Sequence, residues 1–92
     1  MTREPLFRRA TSQIAVDNGD EILMMSLCAG SYFALSGPAQ RIWTLAVAPI
    51  SLEQIVERLI LEYDVDRETC RGQVATFLAE LEHEGLLERV EP

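Results

Sequence analysis

The tetrapeptide Asp17-Asn18-Gly19-Asp20 constrains this chain more than any other feature, because it sets Asn-Gly between two segments of strand character. Asn-Gly tolerates the positive φ values of a two-residue hairpin turn, whose twist matches the strands it joins. Before it, Ile14 and Val16 alternate with Gln13, Ala15 and Asp17; after it, a strand runs from Glu21 to Cys28. Ala29-Gly30 gives another short turn into Ser31-Tyr32-Phe33-Ala34-Leu35, completing a three-stranded antiparallel β-meander. In the middle strand Ile22, Met24, Ser26 and Cys28 point one way while Leu23, Met25 and Leu27 point the other, so both faces carry apolar side chains. Helices can cover one face. The other stays exposed, meets the N-terminal residues or contacts a partner.

The periodicity then changes to helical. Ser36-Gly37-Pro38 reads as a helix start, with Ser36 as the cap and proline tolerated in the first turn. Ala39, Ile42, Trp43 and Ala46 share one face of this helix, which stops before Pro49, and Trp43 is expected to anchor it on the sheet. A second helix opens on the capping box Ser51-Leu52-Glu53-Gln54, with Leu52, Ile55, Val56, Leu59, Ile60 and Tyr63 in an apolar stripe. A third begins at Asp66 as N-cap, carries Cys70, Val74, Phe77, Leu78 and Leu81 inward, tolerates an interior Gly72 and ends at Gly85, after which Leu86 and Leu87 fold back on the core. The expected fold class is therefore α+β: a three-stranded antiparallel β-meander followed by three helices, winged-helix-like in outline. With 92 residues there is one modest core. Residues 1–12 form an N-terminal arm, from which Leu6 and Phe7 can dock on the body, and residues 13–92 form the domain.

Charge and residue inventory narrow the function. Fifteen acidic residues oppose eight arginines, with no lysine, for a formal charge of −7. That balance disfavours nucleic acid, whose phosphates need clustered cations, and anionic membrane surfaces. No apolar run approaches the ~20 residues of a membrane span, and no apolar segment follows Arg3, Arg8 and Arg9 as a signal peptide requires, so a cytoplasmic location is expected. Cys28 and Cys70 lie 42 positions apart without a CxxC or Cys/His cluster and read as reduced, partly buried thiols; His83 stands alone. No nucleophilic triad, cofactor motif or metal set can be assembled around one histidine, so the chain is read as not an enzyme, with no cofactor. The acidic residues Glu80, Glu82, Glu84, Glu88 and Glu91 read as a solvated face.

The order of the motifs is more specific than any one of them. Gly30-Ser31-Tyr32-Phe33-Ala34-Leu35, then Ile42-Trp43, the capped helix at Ser51, Leu59 to Tyr63, and Phe77-Leu78-Ala79-Glu80-Leu81 with Gly85-Leu86-Leu87 resemble the PqqD family over Ile14 to Leu87. That family follows G-x-Y-[YF]-x-L, I-W, a capped helix, L-x-x-x-[YF] and F-L-x-x-L-x-x-x-G-L-L. The resemblance implies a RiPP recognition element, a module that holds the leader peptide of a ribosomal precursor as an added strand beside the third strand, in a groove bounded by the third helix. By that resemblance the peptide-binding residues are Ser31, Tyr32, Phe33, Ala34 and Leu35 on the edge and Cys70, Gln73, Val74, Phe77, Glu80 and Leu81 on the helix wall.

From the residues alone, Phe77 and Leu81 also fit a core, Tyr32 faces either solvent or a ligand, and Phe33 and Leu35 pack under the helices. The free edge can also pair with its own copy, leaving the chain a monomer or weak homodimer. The Gly-Leu-Leu ending and the Tyr-Phe strand are similar to the stand-alone leader-binding proteins of lasso-peptide pathways. That likeness implies a separate cysteine-type leader peptidase, and a macrocyclase, as partners. Two alternatives stay open: a PQQ-biosynthesis-type peptide chaperone serving a radical-SAM enzyme, and a winged-helix DNA-binding protein.

Overall fold

The computed structural model describes residues 4–11, 13–27 and 30–90. In chain order these form β1 (Leu6–Arg9), β2 (Gln13–Asp17), β3 (Ile22–Ser26), β4 (Tyr32–Leu35), α1 (Pro38–Leu45), β5 (Ile50–Ser51), α2 (Leu52–Glu62), α3 (Arg67–His83) and β6 (Leu87–Val90). The expected meander is present as an antiparallel sheet of order β2-β3-β4, followed by the three helices. Cys28 and the Ala29 half of the second turn lie outside the described residues.

The first hairpin closes one residue later than Asn-Gly implies. Positive φ falls on Gly19 (96°) and on no residue other than glycine among those described. The Asn18 N–H donates to the Glu21 carbonyl at 3.1 Å, and the Asn18 side-chain oxygen accepts from the Glu21 N–H at 3.0 Å. Gly19 and Asp20 are thus the central pair, an arrangement in which only the first must be left-handed.

A second antiparallel sheet, of order β5-β1-β6, was not legible as such. The expected N-terminal arm supplies its middle strand: Leu6 pairs with Ser51 and Val90, and Phe7 with Ile50 and Arg89. Phe7 is buried, so this strand packs on the body of the protein. Arg9 fastens this sheet to α1, with its guanidinium 5.0 Å from the Trp43 ring centroid and its Nε donating to the Trp43 carbonyl at 2.9 Å. Burial lowers the pKa of this arginine.

The helices begin and end for identifiable reasons. The capping box at Ser51 is formed in both directions, Ser51 Oγ accepting from the Gln54 N–H and Gln54 Oε1 from the Ser51 N–H. Asp66 accepts from the Thr69 N–H at 2.8 Å and caps α3 as expected. At the other end Gly85 takes φ 77°, while Leu86 N–H reaches the Leu81 carbonyl and Gly85 N–H the Glu82 carbonyl, the two bonds of a Schellman motif. Ser36 does not cap α1: Pro38 occupies the first helical position, so the cap falls on Gly37, without a side-chain hydrogen bond. Trp43, Ile55, Leu78, Leu81 and Leu86 centre the core between helices and sheets. Ser26 is buried in β3 and its Oγ donates to the Glu84 carbonyl at 2.6 Å, fixing the meander against the C-terminal end of α3.

Candidate functional site

β4 pairs with β3 on one side and with no described strand on the other, so a row of backbone N–H and C=O groups faces outward. β2 is the opposite edge of the same sheet, but the two edges differ in surroundings. Along β2 even Ala15, which shares the inward face with Met24, is exposed, so no wall rises beside it. β4 instead runs within three residues into Pro38, and Pro38 and Ala39 open an apolar hollow of about 230 Å³. Ile42 of α1, Leu59 and Tyr63 at the end of α2, Val65, and Cys70, Gln73, Val74 and Phe77 of α3 complete its lining.

Of the expected wall residues the structure brings Cys70, Gln73, Val74 and Phe77 together. Cys70 and Val74 are buried and make the floor; Phe77 is partly buried and Gln73 exposed at the rim. Gln73 and Phe77 also border a shallower depression on the outer side of α3, shared with Glu68, Gly72, Thr76 and Glu80. Glu80 is thus beside the hollow rather than in it. Leu81, which the resemblance places on the wall, is fully buried in the core cluster and offers no surface, because the burial stripe passes through Leu78 and Leu81 while Phe77 stands at its margin. Pro38, Ala39, Leu59, Tyr63 and Val65 are lining residues that sequence reasoning missed, because only the crossing of three helices makes them neighbours.

The strand residues separate by parity. Phe33 and Leu35 point inward, Leu35 into the core and Phe33 packed against it. Tyr32 and Ala34 point outward, and Tyr32 is 81% exposed. Ser31 precedes the strand, and its carbonyl accepts from the Ser26 N–H at 2.9 Å.

The electrostatics of the site are quiet. Burial, and then the neighbouring Asp66 carboxylate, push the Cys70 thiol upward, so it remains protonated near neutral pH. Among the described residues no group of three His, Cys, Asp or Glu side chains is placed to hold a metal. The arginines of α3 are occupied within the chain: Arg67 reaches Glu57 at 3.0 Å, and Arg71 pairs with Glu53. No helix among the described residues is long and apolar enough to cross a membrane.

This architecture recurs in known proteins. Two solved structures cover nearly the whole fold. "TbiB1 in Complex with the TbiA(beta) Leader Peptide" is 32% identical, with a TM-score of 0.80 over 88% of this chain and 94% of that one. "Lasso peptide synthetase B1 complexed with the leader peptide" is 20% identical, with a TM-score of 0.77 over 89% and 96%, and speaks for the fold alone. No curated protein matches. The family model for coenzyme PQQ synthesis protein D matches residues 21–87, from the second strand of the meander through the Gly-Leu-Leu turn, and so spans the open edge and the hollow together. With most of its length matched and its motif order preserved, the chain belongs to the PqqD family.

Proposed function

We propose that the chain is a non-catalytic RiPP recognition element that captures a precursor's leader peptide as a strand added to β4. It then delivers the leader to separate processing enzymes, a cysteine-type peptidase and a macrocyclase, in a cytoplasmic lasso-peptide pathway. One observation carries this reading: the open β4 edge leads within three residues into Pro38, which lines an apolar hollow, in a fold shared at 32% identity with a protein solved in complex with a leader peptide. The chemistry asked of the site is binding alone. Main-chain ladder bonds supply register, and alternate inward side chains of the guest enter the hollow, each worth about 1.5–3 kcal/mol when fully buried. Ser31 to Leu35 would present the edge, and Cys70, Gln73, Val74 and Phe77 the pocket. Glu80 would flank it, and Leu81 would support it from the core.

The intramolecular pairing of Arg67 and Arg71 speaks against a phosphate-binding role for α3, since those cations already have partners. The match to coenzyme PQQ synthesis protein D supports a second reading, a chaperone for the PQQ precursor, which would use the same edge. Fluorescence anisotropy with labelled leaders from precursor genes neighbouring its own separates the two by which precursor binds. An Ala34→Pro variant, shown intact by circular dichroism, is expected to lose binding because proline lacks an N–H and obstructs pairing. Wild-type protein that ignores every such leader at tens of micromolar would refute the reading.

A further inference from the structure

The outer face of the β2-β3-β4 sheet carries apolar side chains that neither the core nor the hollow uses. Register sets them in two cross-strand rows, Ile14–Met25–Tyr32 and Val16–Leu23–Ala34. Ile14, Val16 and Leu23 are 52%, 58% and 45% exposed, none of the six side chains is charged, and a depression of about 480 Å³ lies over them. The second row ends at the open edge in its smallest member. Ala34 therefore leaves a notch whose inner wall is Leu23 and whose flank is the exposed ring of Tyr32.

A strand added to β4 would continue both rows, since neighbouring strands lie about 4.8 Å apart and side chains alternate in step across a sheet. The guest residue opposite Ala34 would have only a methyl group before it, and Leu23 at roughly 10 Å, two strand spacings away. An aromatic or leucine-sized side chain spans that gap by lying across Ala34; a small or charged one leaves Leu23 and Tyr32 wet or desolvates a charge. We propose that the leader is read on both faces. Its inward side chains enter the helical hollow, and a large apolar outward side chain fills the notch between Leu23 and Tyr32. The recognised segment is then apolar at successive positions, unlike a half-buried strand that alternates. This rests on strand addition at β4, and continuity with that edge singles out the leader as the occupant of the notch.

A size-swap experiment tests it. Ala34→Phe fills the notch with a strand-favouring residue and leaves the backbone edge unchanged. It is expected to weaken the wild-type leader by about tenfold or more, the scale of one lost apolar anchor. An alanine scan of the leader on wild-type protein identifies the outward anchor, and the leader carrying alanine there should bind Ala34→Phe better than the unmodified leader does. Wild-type protein that binds no leader refutes strand addition itself. If the wild type binds and Ala34→Phe binds equally well, or if no alanine-substituted leader rescues it, the outward notch is refuted while strand addition stands. Leu23→Asp gives an independent arm and should weaken leader binding. Should it spare leader affinity but abolish either processing by a partner enzyme or a dimer seen in sedimentation, the face has another occupant and the proposal falls.

Discussion

Phe77 and Leu81 stand one turn apart on α3 and look alike in sequence, yet the structure buries them unequally, and truncating each in turn would separate the proposed pocket from the core. Leu81 is 0% exposed inside the central cluster. Removing its side chain leaves a cavity that neighbours fill only partly, so Leu81→Ala should cost about 2–5 kcal/mol of stability, a large share of the ~5–15 kcal/mol that holds a small domain folded. Phe77 is partly buried and lines the hollow, so under the proposed reading its ring would gain further contacts from a bound leader. Phe77→Ala should therefore cost only about 1 kcal/mol of stability but about 1–2 kcal/mol of leader affinity, roughly 5- to 30-fold in Kd. Urea unfolding followed by the fluorescence of Trp43, the single tryptophan, gives the first quantity. Leader anisotropy, corrected for the folded fraction, gives the second. Equal losses of corrected affinity in the two variants, or a Phe77→Ala protein as destabilised as Leu81→Ala, would refute the division.

Four smaller perturbations follow from the same geometry. Ser51→Ala removes the hydroxyl that accepts from the Gln54 N–H, while the backbone N–H of position 51 can still donate to Gln54, and should lower the urea midpoint by an amount equivalent to about 1 kcal/mol, without changing leader affinity. Gly72→Ala should raise stability by about 0.5–1 kcal/mol, since an added Cβ meets nothing within 4 Å and the helix interior loses its most flexible residue. Asp66 has a lowered pKa because first the Thr69 N–H and then its hydroxyl donate to the carboxylate. Its contribution is thus complete above the unfolded aspartate value and is lost as pH falls through the lower folded value. Melting temperatures taken from about pH 5 down to about pH 2.5 should fall less steeply for Asp66→Asn than for the wild type. Cys70 should resist iodoacetamide in the folded protein at neutral pH and react on unfolding, because burial both shields the thiol and raises its pKa.

What was legible in the sequence was local. The capping box at Ser51, the Asp66 cap and the Gly85 stop each involve residues within five positions of one another, so composition and spacing sufficed. The meander was legible because its strands follow in order and alternate. The β5-β1-β6 sheet was not, for the converse reason. Its strands come from both ends and the middle of the chain; β5 has two residues, one of which doubles as a helix cap, and β6 alternates only as Leu-Glu-Arg-Val. Nothing within Leu6–Arg9 announces a central strand until Ile50 and Leu87 are brought beside it. The hollow divided in the same way. Cys70, Val74 and Phe77 share a helix face and were readable, whereas Tyr63 and Pro38 become neighbours only through the helix crossings.

The two open edges of the meander raise the question of why a guest strand should choose one. Ladder bonds cannot decide it, because β2 and β4 both present unpaired backbone and each bond exchanges with water for a net ~1 kcal/mol. The choice rests on what lies beneath the added strand. At β2 the inward Ala15 and Asp17 face solvent and only Gln13, at the start of the strand, is partly covered, so a guest there would bury side chains mainly on the outer face. At β4 the inward parity is already occupied by Phe33 and Leu35 packed on the core, and the chain continues within three residues to Pro38 at the helical hollow. A guest with two inward anchors would gain about 3–6 kcal/mol at β4 that β2 does not offer, a preference of two to four orders of magnitude. Charge works in the same direction. With five arginines committed to internal ion pairs and Arg9 stacked on Trp43, the proposed site would attract its guest through apolar area and backbone rather than through a cationic field. Leader binding dominated by those two terms should change little between low and physiological salt, whereas a salt slope of several units would point to a charged interface elsewhere on the protein.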